Sequence, residues 1–316
     1  MLFLTAIGFS QQPKPTCFVD GAIPKNTKAA IEREALAFLG TALGEKPATA
    51  YQFLTAQSQR EVGLEAFTAL ATGLSHSTEP RNLRVAHSFL VREITQERVA
   101  AACSSADPDQ SVIVATEPRA QQAYVLFVAD GVNNRVAFPV WLVEEELAWK
   151  IRGFIGFPTS LADKDSSALR AMAQTERQRG HSLNSALLYS AALQTRVSPL
   201  LEYGNATELR KELSGLKVPA EIEGQPPFVW KSAKHSFEVS SVQPMAIGGK
   251  LFLVVERVAD TWPSDKEIDA ASKDLITFLQ QRYPEYREVF AGIIVRAHEK
   301  NGSRGFGTVE EDQPKP

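Results

Sequence analysis

Residues 135–155 read RVAFPVWLVEEELAWKIRGFI, and this stretch decides the fold of the first half of the chain. The runs Arg135 to Val143 and Ala148 to Ile155 are rich in apolar, β-branched and aromatic residues, which predicts two strands. The acidic run at residues 144–146 supplies the turn between them. Upstream, two more strands are predicted, at Ser111 to Thr116 and Ala123 to Ala129, and Asp130-Gly131 supplies a turn before Arg135. The pattern predicts an antiparallel meander.

Helical periodicity precedes these strands. Asn26 or Thr27 can cap a long helix whose apolar residues recur at helical spacing as far as Leu43. Pro47 suits the first turn of a short second helix, and a third helix is predicted over Ser58 to Leu74. Helices followed by an antiparallel meander predict an α+β fold with the helices on one face of the sheet.

A change of period marks the first long strand. From Arg84 the apolar spacing becomes two, so Val85, His87, Phe89 and Val91 are predicted to share one face. Of these residues only His87 is ionisable near neutral pH.

The order of these elements resembles a known superfamily. Three helices, then strands that close on Trp141-Leu142-Val143, an acidic turn and Ala148-Trp149-Lys150-Ile151-Arg152, are similar to the nuclear-transport-factor-like superfamily, with its ketosteroid-isomerase-like and SnoaL-like members. The resemblance covers residues 26–157. It implies a cystatin-like α+β cone in which the sheet wraps the long helix and leaves a pocket at the wide end. Such cones serve isomerases, dehydratases and non-catalytic modules, so the fold does not choose a function.

The pocket that this resemblance implies would be lined by Tyr51, His87, Tyr124 and Trp141. Enzymes similar to ketosteroid isomerases place a carboxylate in the cone, whereas no carboxylate is predicted inside the strands here. His87 is therefore the one candidate acid or base, and no other catalytic residue is assigned. The alternative is that the aromatic residues form ordinary core and that His87 is a satisfied core or rim residue.

The second half begins after the linker Phe157 to Ser160. Asp165 to Arg179 and Ser182 to Arg196 predict a helical hairpin that resembles one tetratricopeptide unit, although no second copy follows. Residues 158–215 are interpreted as this hairpin and a linker, and residues 216–309 as a C-terminal α+β domain. Its predicted strands are Phe228–Lys231, Ser236–Val242, Leu251–Val258, Gly292–His298 and Phe306–Val309. Ser264 and Glu267 form a capping-box signature at the start of a helix that runs to Tyr283.

Composition limits the classes of partner. Apolar residues make up 44% and charged residues 22% of the 316 residues, which predicts two globular cores. The 34 Lys and Arg nearly balance the 37 Asp and Glu, for a net charge of -3. Because this charge creates no strong field, nucleic acid is an unexpected partner. No apolar run approaches the roughly 20 residues of a spanning helix.

Two further predictions concern the ends of the chain. Leu2 to Phe9, within an N-terminal arm of residues 1–25, is similar to the apolar part of a signal peptide, but no Lys or Arg precedes it. Export to the periplasm or the medium is favoured, with the true start upstream. The alternative is an apolar tail on a cytoplasmic protein. Residues 310–316 are charged and contain proline, which predicts a disordered tail.

The cysteines and histidines are few. Cys17 and Cys103 either form one disulfide or are two unrelated thiols. The five histidines are scattered, so no metal site is predicted, and no cofactor motif was found. The glycine-rich run at residues 302–307 lacks the helix and Lys of a phosphate loop and is interpreted as a hairpin turn.

The sequence is compatible with two functions. The first is an exported bacterial binding or assembly module without catalytic activity, whose partner is an unknown protein or a small hydrophobic ligand, with a homodimer through the sheet as a further expectation. The second is a small-molecule isomerase or hydratase that uses the cone pocket and His87.

Overall fold

The protein has an α+β fold. The computed structural model describes residues 15–94, 100–105, 108–232 and 234–311. The signal-like segment and residues 312–316 of the expected tail lie outside this range. Glu310 and Glu311, which the sequence assigned to the tail, instead end the last strand.

Four α-helices open the first half. They are α1 (Lys25–Ala42), α2 (Pro47–Ala50), α3 (Ala56–Glu61) and α4 (Leu64–Thr78). The N-cap of α1 is Pro24 rather than Asn26 or Thr27. The predicted third helix is broken at residues 62–63, because the backbone of Val62 and Gly63 is extended. Helix α3 begins at a cap, where the Thr55 side chain accepts the Ser58 N–H at 2.9 Å.

The strands of the first half are β1 (Thr16–Val19), β2 (Arg81–Ile94), β3 (Ala100–Cys103), β4 (Val112–Ala115), β5 (Arg119–Asp130), β6 (Arg135–Glu145), β7 (Ala148–Phe154) and β8 (Phe157–Pro158). The main sheet has the order β1-β2-β5-β6-β7, and β8 pairs with β6. These strands pair antiparallel, and the β5-β6 and β6-β7 hairpins confirm the predicted turns. The predicted strand at residues 111–116 is β4, but β4 leaves the meander and joins another sheet.

The second half contains β9 (Ser160–Leu161), β10 (Lys164–Asp165), α5 (Ser166–Gln178), α6 (Ser182–Gln194), β11 (Leu201–Tyr203), α7 (Ala206–Ser214), β12 (Phe228–Lys231), β13 (Ser236–Ile247), β14 (Lys250–Ala259), α8 (Asp265–Arg282), β15 (Gly292–Glu299) and β16 (Gly305–Glu311). The helical hairpin, the five predicted strands and the long helix are confirmed. A five-stranded sheet has the order β12-β13-β14-β15-β16. Its β14-β15 pair is parallel, as the crossover through α8 allows.

Both faces of the main sheet are covered. Helix α1 packs on one face through Ile31, Phe38 and Leu39, which are fully buried. On the opposite face lies a three-stranded sheet of order β11-β4-β3, which buries a second core that includes Phe89 and Tyr124. A homodimer through that face of the main sheet, as the sequence suggested, would therefore require the small sheet to move.

The helical hairpin α5-α6 shares a core with the C-terminal sheet. Leu169 of α5 and Leu188 of α6 are fully buried in the same cluster as Leu253 of β14 and Ile276 of α8. The boundary expected near residue 215 therefore does not separate two cores. The hairpin is a layer of the C-terminal unit rather than a connector between two cores.

Candidate functional site

The space between α1 and the main sheet is filled by aromatic side chains. The Phe38 ring lies 5.0 Å from that of Phe154, 6.1 Å from that of Phe53 and 6.4 Å from that of Phe67. Two further rings of the same core, Phe127 and Phe138, are fully buried. Aromatic rings thus occupy the layer in which the resemblance implies a cone pocket.

The four residues expected to line that pocket lie on opposite faces of the sheet. Tyr51 packs on the α1 side, 5.7 Å from the Phe67 ring, and its hydroxyl donates to the Gln59 carbonyl at 2.7 Å. Tyr124 and Trp141 stack on the other side, with ring centroids 5.7 Å apart. Because side chains alternate along β5 and β6, these two residues point away from α1. The predicted common pocket is not formed.

A β-bulge decides where His87 points. Val85 pairs with Phe127 and His87 with the adjacent Leu126, so β2 has one extra residue here. Val85 packs against the α1 core, whereas Phe89 belongs to the core on the opposite face. The His87 ring lies 6.1 Å from the Phe89 ring and shares its side of the sheet. The expectation that Val85 and His87 share one face is wrong.

His87 lies against Asp20 at the end of β1. Its Nδ1 is 2.8 Å from Asp20 Oδ2, and Asp20 Oδ1 accepts the Ser88 N–H at 2.8 Å. Asp20 has a φ of 45°, a left-handed conformation that is unusual for a non-glycine residue. It also lines a cavity of about 370 Å³ beside β1. The Asp20 carboxylate fixes the orientation of the imidazole through Nδ1, and Nε2 takes no part in this contact.

Two hydroxyl groups, of Ser88 in β2 and Tyr124 in β5, are held by partners other than His87. The Ser88 hydroxyl donates to Glu32 at 2.6 Å and is fully buried. Tyr124 donates its hydroxyl to the Ala115 carbonyl, and burial, with Glu117 nearby, raises the Tyr124 pKa well above its usual value. Tyr124 therefore stays protonated and structural.

Arg152 of β7 joins three parts of the first half. Its guanidinium contacts Glu61 of α3 at 2.8 Å and Glu117 at 2.9 Å, and it lies 5.5 Å from the Trp141 ring. The Arg152 side chain is only 15% exposed. Its carboxylate partners explain its burial, so this network is interpreted as structural. The sequence offered no signal for it because the partners lie far apart along the chain.

A disulfide joins Cys17 to Cys103. Their Cα atoms are 5.1 Å apart, and the bond links β1 to β3 across 86 positions of sequence. Cys103 is 1% exposed within the core between the main sheet and the small sheet. Of the two alternatives left by the sequence, the structure has the bridged pair.

A large cleft lies in the C-terminal unit. It has a volume of about 860 Å³ and opens between α6, α7 and the segment 216–228. Its apolar walls are formed by Ala186, Leu187, Leu213, Leu216, Ile222, Phe228 and Val242. Ser190, Lys217, Glu223 and Gln225 add polar groups. A cleft of this volume that combines apolar walls with several polar groups is typical of small-molecule sites.

The sequence did not predict this cleft. Its segment 216–228 contains Pro219, Pro226 and Pro227, which are typical of a loop, and the 3₁₀ turn Ala220–Ile222 is too short to show a periodicity. The available signal was the recurrence of apolar residues, including Leu216 and Ile222, in a segment otherwise typical of exposed loops. Only the packing of the hairpin on the C-terminal sheet places that segment opposite α6.

Two further histidines lie beside a carboxylate. His181 lies 2.8 Å from Glu176, and His235 lies 3.0 Å from Asp274. Among the described residues, no group of three or more His, Cys, Asp or Glu side chains could hold a metal ion. None of the helices in the described ranges is long and apolar enough to cross a membrane. The glycine-rich run at residues 302–307 lies at the β15-β16 turn.

Comparison with known proteins adds no family. No protein-family model matches the chain, and a comparison with curated proteins also finds no match.

Proposed function

We propose that the protein is a non-enzymatic binding module and that the cleft between α6, α7 and residues 216–228 receives a small apolar ligand. The observation that carries this proposal is the cleft itself, at about 860 Å³ with walls that include Leu187, Leu213 and Phe228. Burial of apolar ligand surface against these side chains would contribute roughly 25 cal/mol per Å².

Polar groups favour a ligand with one hydrophilic end. Lys217, Glu223 and Gln225 line the cleft and are exposed. These side chains can orient a ligand whose apolar part enters between α6 and Phe228.

The aromatic side chains that fill the space between α1 and the main sheet support a scaffold role for the first half. We propose that residues 26–157 are a nuclear-transport-factor-like domain in which aromatic rings such as Phe38 and Phe154 replace the ligand of the cone. An isomerase or hydratase of the ketosteroid-isomerase kind would need His87 on the α1 side. Since His87 shares the opposite face with Phe89, this second function is the weaker proposal.

We propose export as the location of the protein. The disulfide between Cys17 and Cys103 supports it, because disulfides persist in oxidising compartments and are rare in the cytosol. The signal-like sequence at residues 2–9 is consistent with the same location.

A fluorescence titration with the neutral apolar dye N-phenylnaphthylamine tests the ligand site. Ser190→Trp places an indole in the cleft from a half-buried position of α6 and should weaken dye binding about tenfold or more. Ser167→Trp, at an exposed position of α5, is the matched control and should bind the dye as the wild type does. Equal binding by Ser190→Trp and the wild type would exclude the cleft as the site.

A further inference from the structure

A second pocket of the C-terminal unit contains a buried arginine. This pocket, of about 440 Å³, lies between the N-terminal half of α8 and the strands β13 and β14. Arg257 of β14 lines it and is only 5% exposed. The residue belongs to the same strand face as Leu253 and Val255, since side chains two apart share a face.

The contacts of Arg257 leave its charge uncompensated. Its Nη2 donates to the Ile268 carbonyl at 3.1 Å and to Ser272 Oγ at 3.3 Å, while Nε lies 3.4 Å from the same hydroxyl. The Phe237 ring lies 5.8 Å from the guanidinium carbon. Within the described ranges, no carboxylate forms an ion pair with Arg257, and its Nη1 has no hydrogen-bond partner.

A buried cation without a counter-charge is costly. Burial lowers the pKa of Arg257, yet a guanidinium remains protonated in proteins. This differs from Arg152, which is held by two carboxylates. An anion that enters the pocket would supply the missing charge, and a carboxylate matches the planar donor edge of a guanidinium.

Apart from His235, which lies 3.0 Å from Asp274, the other ionisable groups of the pocket are acidic. Glu238, Asp260 and Glu267 also line it. Lys300 contacts Glu238 at 3.7 Å and Asp260 at 2.9 Å, so one cation is shared by two of these carboxylates. A ligand with negative charge alone would meet this excess of negative charge, whereas a ligand with both charges would complement both parts of the pocket.

We infer that this pocket binds a small zwitterion of the α-amino-acid type. Its carboxylate contacts Arg257, and its ammonium group faces Asp260 and the neighbouring carboxylates. Ala270 and Ala271 of α8 leave room for a side chain. This site is separate from the apolar cleft, with which it shares no lining residue.

Thermal-shift assays and calorimetry with single compounds test the inference. The natural L-α-amino acids are supplied one at a time, beside acetate, ethylamine and inorganic phosphate at equal concentration. At least one amino acid should raise the melting temperature, and the three other compounds should raise it less than half as much. Equal stabilisation by acetate or phosphate would indicate a simple anion site and overturn the zwitterion assignment. An absence of any shift with the amino acids would overturn the site.

Variants separate the two charges of the ligand. Arg257→Gln should weaken amino-acid binding about tenfold or more, because a charge-assisted hydrogen bond is lost. Arg296→Gln, whose guanidinium contacts Glu256 at 3.8 Å, is the matched control and should bind normally. If Arg257→Gln does not fold, the 72%-exposed Asp260 serves instead, since Asp260→Asn should weaken amino-acid binding but not acetate binding. Unchanged binding by the folded variants would overturn the inference.

Discussion

Cys17 and Cys103 hold the first strand of the protein against the small sheet. Strand β1 has only four residues and lies at the edge of the main sheet. The disulfide closes a loop that spans 86 positions. A crosslink of this span restricts the unfolded chain, and the loss of a native disulfide typically costs about 2–5 kcal/mol of stability.

We therefore predict that the double variant Cys17→Ser, Cys103→Ser unfolds more easily by about 2–5 kcal/mol in urea. Reduced wild-type protein is the control, because it lacks the crosslink but keeps both side-chain volumes, and it should lose most of the same free energy. Alkylation of either thiol in native protein without reductant would contradict the prediction.

Individual residues could be identified from the sequence more readily than the residues that they contact in the fold. Cys17, Cys103 and the capping residue Ser264 were identified from their type and position, and Ser264 does accept the Glu267 N–H at 3.3 Å. The Asp20 contact of His87 was missed because the two residues are 67 positions apart and meet only when β1 joins the sheet. Long-range pairing of this kind leaves no local pattern.

A buried carboxylate fixes the turn of the α5-α6 hairpin. Glu176 is 3% exposed, lies 2.8 Å from His181 Nδ1 and accepts a hydrogen bond from Asn184 at 2.7 Å. Arg179 contacts it at 3.1 Å. Burial raises the pKa of Glu176, but the contacts with Asn184, His181 and Arg179 outweigh burial, so its pKa lies below the usual 4.5.

The lowered pKa of Glu176 makes the stability of the fold depend on pH. Because the folded pKa is lower than the unfolded pKa, Glu176 stabilises the fold above about pH 4.5, and the contribution is lost as pH falls through the folded value. Glu176→Gln should lower the free energy of unfolding by about 1–3 kcal/mol at neutral pH. The difference from wild type should shrink below pH 4.5 in urea titrations.

Glu288→Gln is the matched control for this change. Glu288 lies 3.9 Å from Arg179 but is 51% exposed, so water screens its ion pair and the variant should unfold close to wild type. A Glu176→Gln variant with wild-type stability at neutral pH would contradict the role given to this turn.

The positions of helices and strands could be predicted from the sequence more closely than the register of the strands. Helices α5 and α8 lie where periodicity predicted them, because each has an apolar stripe of its own, whereas α6 is buried around most of its surface. The bulge at residues 85–87 was missed, since alternation alone cannot reveal one extra residue. That single residue changes the face on which His87 lies, and with it the interpretation of the site.

In the whole molecule, elements that are distant in sequence share sheets and hydrophobic cores that the sequence did not predict. Strand β11 follows the hairpin in sequence yet pairs with β4 of the first half, and α5 and α6 complete the core of the last sheet. Both associations join segments distant in sequence, so a local pattern could place the elements but not their partners. The apolar cleft exists only because of this packing.

Hydrogen–deuterium exchange with and without N-phenylnaphthylamine tests the central claim, that the ligand site lies in the C-terminal cleft and not between α1 and the main sheet. The dye should slow exchange in α6, α7 and residues 216–228, which surround the cleft, and leave α1 and β5 unchanged. Protection confined to α1 and β5 would show that the dye enters the aromatic layer of the first half, and it would contradict the account.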